Sequence, residues 1–399
     1  MREGWDLVTL ADQLEFECEQ VDVVAGREYP IVGVLNRGQG LLLRDPVTSE
    51  STSYPRLNRV LPGRVIYRKL TAFEGTVAVA PDSLGEAFAS PEFPTFKCVK
   101  GLTPSYARLM IQHPRFWGEM ALIANGIGGR RGRLHPRDFL KIQIILPPPS
   151  EQRRIIDLVD AVDTVISSAQ QVAHTLDCLT DESRQVVGHS NTVRLGALAR
   201  MRSGPSWKAV DESATGGEGY TPVLGIANTP AGRVLDLTQQ KFVRGVPESA
   251  MRLTESSLVM IRTNGNRARI GNTYRVSTEV HGFAVSAFQI AIEPVDPEDS
   301  TFLYWALGSP AIQKQISEAA SGSTGLGNVA IGWLKELELQ YPQTEVLRRE
   351  FVERCNLLGS TADAAHRKVD SLQSLRAELL TALISGEHEI PNSYDELIG

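Results

Sequence analysis

The feature that most constrains this chain is that it states the same pattern twice, about 195 residues apart, too long a period for a solenoid repeat and right for a duplicated domain. Leu146-Pro147-Pro148-Pro149-Ser150-Glu151-Gln152-Arg153-Arg154 introduces one long amphipathic stretch, and Tyr341-Pro342-Gln343-Thr344-Glu345-Val346-Leu347-Arg348-Arg349 introduces another. Upstream, Pro30-Ile31-Val32-Gly33-Val34-Leu35-Asn36 is answered by Pro222-Val223-Leu224-Gly225-Ile226-Ala227-Asn228. Two diverged copies of one module suit a protein that binds two similar but non-identical things at a fixed distance.

The stretches after the prolines carry the clearest periodicity. Ile155, Val159, Val162, Ile166, Ala169, Ala173 and Leu176 follow 4-3 spacing, as do Phe351, Cys355, Leu358, Ala362, Ala365, Val369, Leu372 and Leu379, interrupted only by Arg376. Such a narrow apolar stripe wants a partner helix. The simplest pairing is of the two seams with each other, antiparallel; the alternative is that each packs on its own globular body. Ser150-Glu151 and Thr344-Glu345 supply capping groups and first-turn acid, and Gly188 and Gly386 mark plausible ends. A helix of about 35 residues is roughly 50 Å long, of the order of one to one and a half turns of duplex DNA.

The expected fold class is α+β: two similar mixed α/β bodies separated by two long helices packed as an antiparallel coiled coil. The expected segments are 1–148, a helix over 149–189, 190–341, a helix over 342–386 and a tail over 387–399. In each body, short strands (Arg64–Leu70 and Thr76–Ala80, against Ser257–Arg262 and Ile270–Val276) precede a Phe-containing strand, Ser90–Phe93 or Ser286–Phe288. A helix ending near His113-Pro114 or Ser309-Pro310 follows, then a Gly-rich loop and a closing strand, Ile142–Leu146 or Leu337–Tyr341.

Charge is segregated. The net charge is −6, yet residues 36–141 carry 16 basic and 8 acidic groups and residues 194–275 carry 12 and 6, while 149–189 and 342–399 are each −4. Each copy thus joins a basic body to an acidic helix, and a local field steers an anionic partner whatever the total. The Gly-punctuated basic loops are the candidates for contacting nucleic acid, because glycine lets backbone N–H groups approach phosphate. In copy one these are Asn36, Arg37, Gln39, Arg68, Lys69, Arg130, Arg131 and Arg133. In copy two they are Asn228, Arg233, Arg262, Asn264, Asn266, Arg267, Arg269, Ser323 and Thr324. Arginine suits guanine and asparagine suits adenine in the major groove, although half or more of protein–DNA hydrogen bonds go to phosphate and sugar.

Signs of chemistry are absent from the sequence. There is no Gly-Lys dipeptide for a phosphate loop and no Gly-x-Ser-x-Gly elbow, and no lysine has an acidic residue two positions before it. The four cysteines, Cys18, Cys98, Cys178 and Cys355, are scattered without metal-ligand spacing. His113 and His135 precede proline and read as turn residues. No apolar run approaches a membrane span and the first residues lack a signal-peptide core, so a reduced, cytoplasmic location is expected.

Taken together, the LPPPSEQRRI phrase before a heptad helix, its weaker second copy, Pro62–Tyr67 with Glu74-Gly75, Tyr220–Asn228 and the ASGSTGLGN loop over 320–328 resemble the specificity (S) subunits of Type I restriction–modification systems, over nearly the whole chain. Copy two departs from the pattern in lacking the second proline and the Glu-Gln pair. The resemblance implies a non-catalytic DNA-recognition subunit in anti-phage defence. Each body would be a target-recognition domain reading one half of a split sequence in double-stranded DNA. The helices would set the gap, through seam positions such as Ile155, Val159, Val162, Ile166, Phe351, Leu358, Val369 and Leu372, and dock two methyltransferase (M) subunits, with restriction (R) subunits joining to make the nuclease. S-adenosylmethionine, ATP and Mg would belong to those partners, with no cofactor or metal on this chain. A recognition component of another defence complex, and a protein-binding adaptor, remain the alternatives.

Overall fold

The computed structural model describes residues 4–124, 132–186, 188–232, 234–320, 326–391 and 394. The chain forms two compact units, one of residues 1–169 with 368–399 and one of residues 170–367. The longer helices are α1 (Pro104–Met110), α2 (Pro114–Ala124), α3 (Pro149–Ser183), α4 (Ser300–Leu307), α5 (Pro310–Ala319) and α6 (Glu345–Ser385).

The duplication is visible strand by strand. In the first unit a four-stranded antiparallel sheet runs in the order Leu14–Phe16, Thr95–Cys98, Val65–Tyr67, Val77–Val79. In the second the corresponding order is Ala199–Ser203, Gln289–Pro294, Leu258–Ile261, Thr273–Arg275. A second sheet in each unit contains one parallel pairing, Ile31 with Phe88 and Val223 with Ala284. Each body is closed by its first strand pairing with its last, Asp6–Thr9 with Gln143–Leu146 and Ser190–Arg194 with Glu338–Pro342. Ser90–Phe93 and Ser286–Phe288, expected as strands, are matching turns instead, with Phe93 N donating to Ser90 O and Gln289 N to Ser286 O, 3.0 Å each. The paired strands begin just beyond them.

The long helices run antiparallel within each unit. In the first, Arg376 of α6 forms a bidentate pair with Asp163 of α3, Nη2 to Oδ2 at 2.9 Å. In the second, His366 reaches Asp177 at 2.9 Å and Ser183 Oγ lies 3.5 Å from Cys355 Sγ. The seams also enter the globular cores. Ile155, Val159, Leu380, Leu383 and Ile384 are buried with Trp5, Tyr106 and Phe139, whereas Phe351 and Cys355 are buried with Phe302 and Leu303. Both pairing schemes open from the sequence therefore apply, the helix-to-body one at the helix ends. Ile166 and Val369 are buried, while Val162, Leu358 and Leu372 are half-buried.

One helix end differs from expectation. α3 stops at Ser183, short of Gly188, whereas α6 ends next to Gly386. Each long helix is shared between the two units rather than standing apart from the bodies. In the expected tail, Ile390 is 3% exposed and packs in the first unit's core with Trp5.

The motif that opens α3 has a local physical reason. Gln152 is 1% exposed; its Nε2 donates to Gly101 O (2.7 Å) and Pro147 O (3.0 Å), and its Oε1 accepts from Thr103. Glu151 accepts from Trp5 Nε1 at 3.2 Å. Copy two, which lacks the Glu-Gln pair, ties the start of α6 down with charge. Arg348 Nη1 lies 3.2 Å from the buried carboxylate of Asp299, and Tyr341 OH donates to both of its oxygens at 3.0 Å. Thr344 Oγ1 caps α6 by accepting from Leu347 N.

Candidate nucleic-acid interface

In the first unit the expected residues converge on one turn region. Asn36 to Gln39 forms the hairpin between strands Tyr29–Val34 and Leu41–Val47. Arg37 adopts φ 58° and Gly38 φ 70°, and a Cβ at Gly38 would stand 2.9 Å from Ile111 O, so the turn needs glycine there. Arg37 is exposed, held with its guanidinium 5.5 Å over the Trp117 ring. Asn36 bridges to Thr76 and donates to Glu74. Arg68 N donates to Thr76 O, Lys69 N to Glu92 O and Leu134 N to Lys69 O, which brings the Arg68-Lys69 and Arg133 segments beside the hairpin. Arg68 is half-buried over Phe93, whereas Arg133 is ion-paired with Glu92. Among the described residues no carboxylate pairs with Arg37, Arg68 or Lys69, so these three hold the uncompensated positive charge of this face. Arg130 and Arg131 lie outside the described residues.

In the second unit most of the described candidate residues lie along one arm. After strand Leu258–Ile261 the chain pairs Thr263 with Asn328 and Asn264 with Gly327, then turns through a 3-10 turn, Arg267–Arg269. Asn264 Oδ1 accepts from Asn266 N at 2.9 Å and Asn266 Oδ1 from Ala268 N at 3.1 Å, so the two asparagines shape the arm. Arg267 is exposed and Arg262 is half-buried, its Nε donating to Val329 O at 3.3 Å.

Two residues expected at this surface are committed to the protein's own backbone. Arg269 donates to Thr229 O, and its Nε is buried. Asn228 is 2% exposed; its Oδ1 accepts from Gly225 N and its Nδ2 donates to Asp236 O and Gln239 O, all at 2.8 Å. A buried carboxamide with those bonds filled holds a loop closed. Arg233, Ser323 and Thr324 lie outside the described residues.

Sequence reading missed the residues that hold the expected ones: Trp117 under Arg37, Phe93 under Arg68, Glu74 bonded to Asn36 and Glu92 paired with Arg133. Their sequence distance from the residues they serve hides them, since no local pattern links Arg37 to Trp117. Among the described residues no group of three or more His, Cys, Asp or Glu could hold a metal ion, and no helix is long and apolar enough to cross a membrane.

No protein-family model matches the chain. No curated protein matches it either. Solved structures do match. A chain from a structure of the type I R-M system, concerned with its complex assembly and conformational transition, gives a TM-score of 0.65 at 15% identity, covering 96% of this chain and 98% of that one. The S subunit of a Type-I restriction-modification system from M. genitalium gives a TM-score of 0.50 at 16% identity, covering 97% of each chain. The likeness spans both bodies and both long helices, and the protein has, along nearly its whole length, the fold of these Type I restriction–modification chains.

Proposed function

We propose that the protein is the DNA-recognition subunit of a Type I restriction–modification complex and is itself non-catalytic. The observation that carries this is the same scaffold built twice with unlike basic loops: an Asn36–Gln39 hairpin with Arg68 and Lys69 in one body, an Asn264–Arg267 arm in the other. Equal scaffolds with unequal loops suit two different half-sites of one split sequence. The fold of the solved S subunit supports the same reading.

In this mechanism phosphate contacts set position and the arm and hairpin side chains read base edges, each good bidentate pair giving about 1–3 kcal/mol of discrimination. The acidic paired helices, which face no nucleic acid in this scheme, dock two methyltransferase subunits and hold the spacing between half-sites. S-adenosylmethionine, ATP and Mg are held by the partner subunits, and the methyltransferases turn out and methylate an adenine in each half.

Methylome sequencing of the host with and without this gene tests the reading. The expected result is loss of one bipartite, asymmetric methylated motif on deletion. An unchanged methylome would overturn it. Binding to duplex DNA by the purified protein with its methyltransferase should weaken steeply with salt, because phosphate contacts release counterions; salt-independent binding would point to the adaptor alternative.

A further inference from the structure

Behind the arm of the second unit lies a cavity of about 610 Å³, lined by Pro205, Trp207, Glu212, Ile226, Lys241 and Phe288 among others. Phe288 is 49% exposed, unusual for a phenylalanine, and its backbone oxygen accepts from Arg262 N (2.9 Å) and Thr263 N (3.1 Å). The ring therefore stands at the root of the arm proposed to meet DNA. Its turn is locked from below: Gln289, fully buried, donates to Gly225 O at 3.0 Å and Thr229 Oγ1 at 3.2 Å and accepts from Ser286 Oγ at 2.9 Å. Asn228 closes the neighbouring loop, as described above. The opposite wall is fixed as well, with Trp207 Nε1 donating to Glu212 Oε1 at 2.7 Å and Lys241 Nζ bonded to Glu212 Oε2 at 2.8 Å.

Aromatic and aliphatic walls with a few placed polar groups suit a flat heteroaromatic ring. We propose that this cavity takes one nucleobase turned out of the stack, a base bearing an exocyclic amine. An exocyclic amine suits Glu212, whose carboxyl is held below its usual range by Lys241 and then Trp207 and keeps lone pairs for a further donor. Adenine, cytosine and guanine offer that amine; thymine offers only its ring N–H. The walls are set before a ligand arrives, which lowers the ordering cost of binding. This inference rests on the DNA-recognition reading and adds to it a site that reads a base outside the groove.

The test uses the full-length protein and a short single-stranded oligonucleotide carrying one 2-aminopurine, a base with the required amine whose fluorescence falls on stacking. The expected result is saturable quenching, weakened at least about tenfold by Phe288→Ala and restored by Phe288→Tyr, in keeping with base–aromatic stacking. Phe288 is half-exposed, and an unchanged denaturant midpoint for the variant checks that its truncation leaves the fold in place. Equal quenching by wild type and Phe288→Ala, or none with the wild type, would overturn the cavity proposal while duplex binding still stands. Failure of both oligonucleotide and duplex to bind would instead remove the DNA-recognition reading and this inference with it. Weakened methyltransferase binding by Phe288→Ala without any change in quenching would assign the cavity to a protein partner and also overturn it.

Discussion

Arg267 and Arg269 sit two positions apart in one turn and face different tasks, a distinction the sequence could not carry. Arg269 bonds to Thr229 O from a half-buried position, while Arg267 is exposed on the arm. Arg269→Ala is expected to destabilise the second unit by about 1–3 kcal/mol, the cost of removing a charged donor from a buried partner. Arg267→Ala, at an exposed side chain, should cost less stability than Arg269→Ala and alter recognition of one half-site only. Denaturant midpoints separate the two variants, and motif sequencing of the assembled complex reads the second effect; loss of both half-sites in Arg267→Ala would point to a folding fault. His113 gives a pH prediction. It is 5% exposed, and its Nδ1 accepts from Arg115 N at 3.1 Å, a bond only the unprotonated nitrogen can make. Burial, and then the charge of Arg115, lower its pKa from the ordinary 6.5. The unfolded chain therefore takes up the proton first, so the stability from the neutral ring is complete above the unfolded value and is lost as pH falls through it towards the folded value. The first unit should lose stability as pH falls below about 6.5, the unfolded value, and His113→Asn, which can still accept from Arg115 N, should flatten that slope. Identical slopes in both proteins would contradict this account.

At the scale of elements, the sequence was most legible where a period repeats and least legible where partners are distant. The seams through Ile155, Val159 and Ile166 and through Phe351, Cys355 and Val369 declared both long helices, because seven-residue spacing has one structural solution. The ends were less legible: Gly188 looked like a C-cap, yet α3 stops at Ser183, where Ser183 Oγ turns back to Thr180 O and meets Cys355 on the other helix. The parallel contacts Ile31–Phe88 and Val223–Ala284 could not be foreseen from spacing, since both short strands lie between turns. Gly359, in the middle of α6, looks like a defect in a helix and is a seat for a ring instead. A Cβ there would stand 2.4 Å from Trp305 Cη2, and Trp305 is held in place by Nε1 donating to Asn356 Oδ1 at 2.9 Å. Alanine would gain about 1 kcal/mol in helix propensity. Overpacking a ring that has little room to retreat costs about 1–3 kcal/mol. Gly359→Ala should therefore be neutral to destabilising by about 2 kcal/mol, whereas Gly332→Ala, with nothing within 4 Å of the new methyl, should not destabilise. A denaturant midpoint for Gly359→Ala above that of the wild type would show that Trp305 is not fixed by Gly359.

At the scale of the molecule, the proposed role of the helices as a spacer makes a demand that no single-residue change can test. Shortening one helix alone would throw the seams out of register, so the change must be made in both. Residues 167–173 and 367–373 are one heptad each, and their removal leaves the Asp163–Arg376 and Asp177–His366 pairs in sequence segments that are retained. A seven-residue deletion shortens a helix by about 10.5 Å at 1.5 Å per residue, or about three base pairs at 3.4 Å each. It also preserves the phase of each apolar stripe to within about 20°. Deleting four residues would shorten the helix less while rotating the stripe away from its partner, and would confound spacing with misfolding. The expected outcome for the paired deletion is a methylated motif with the same two half-sites and a spacer about three base pairs shorter. Unchanged half-sites show that both recognition bodies remain folded, so the spacer length alone decides. The same half-sites at the original spacing would mean that something other than the paired helices sets the distance, most directly the methyltransferase subunits docked on them.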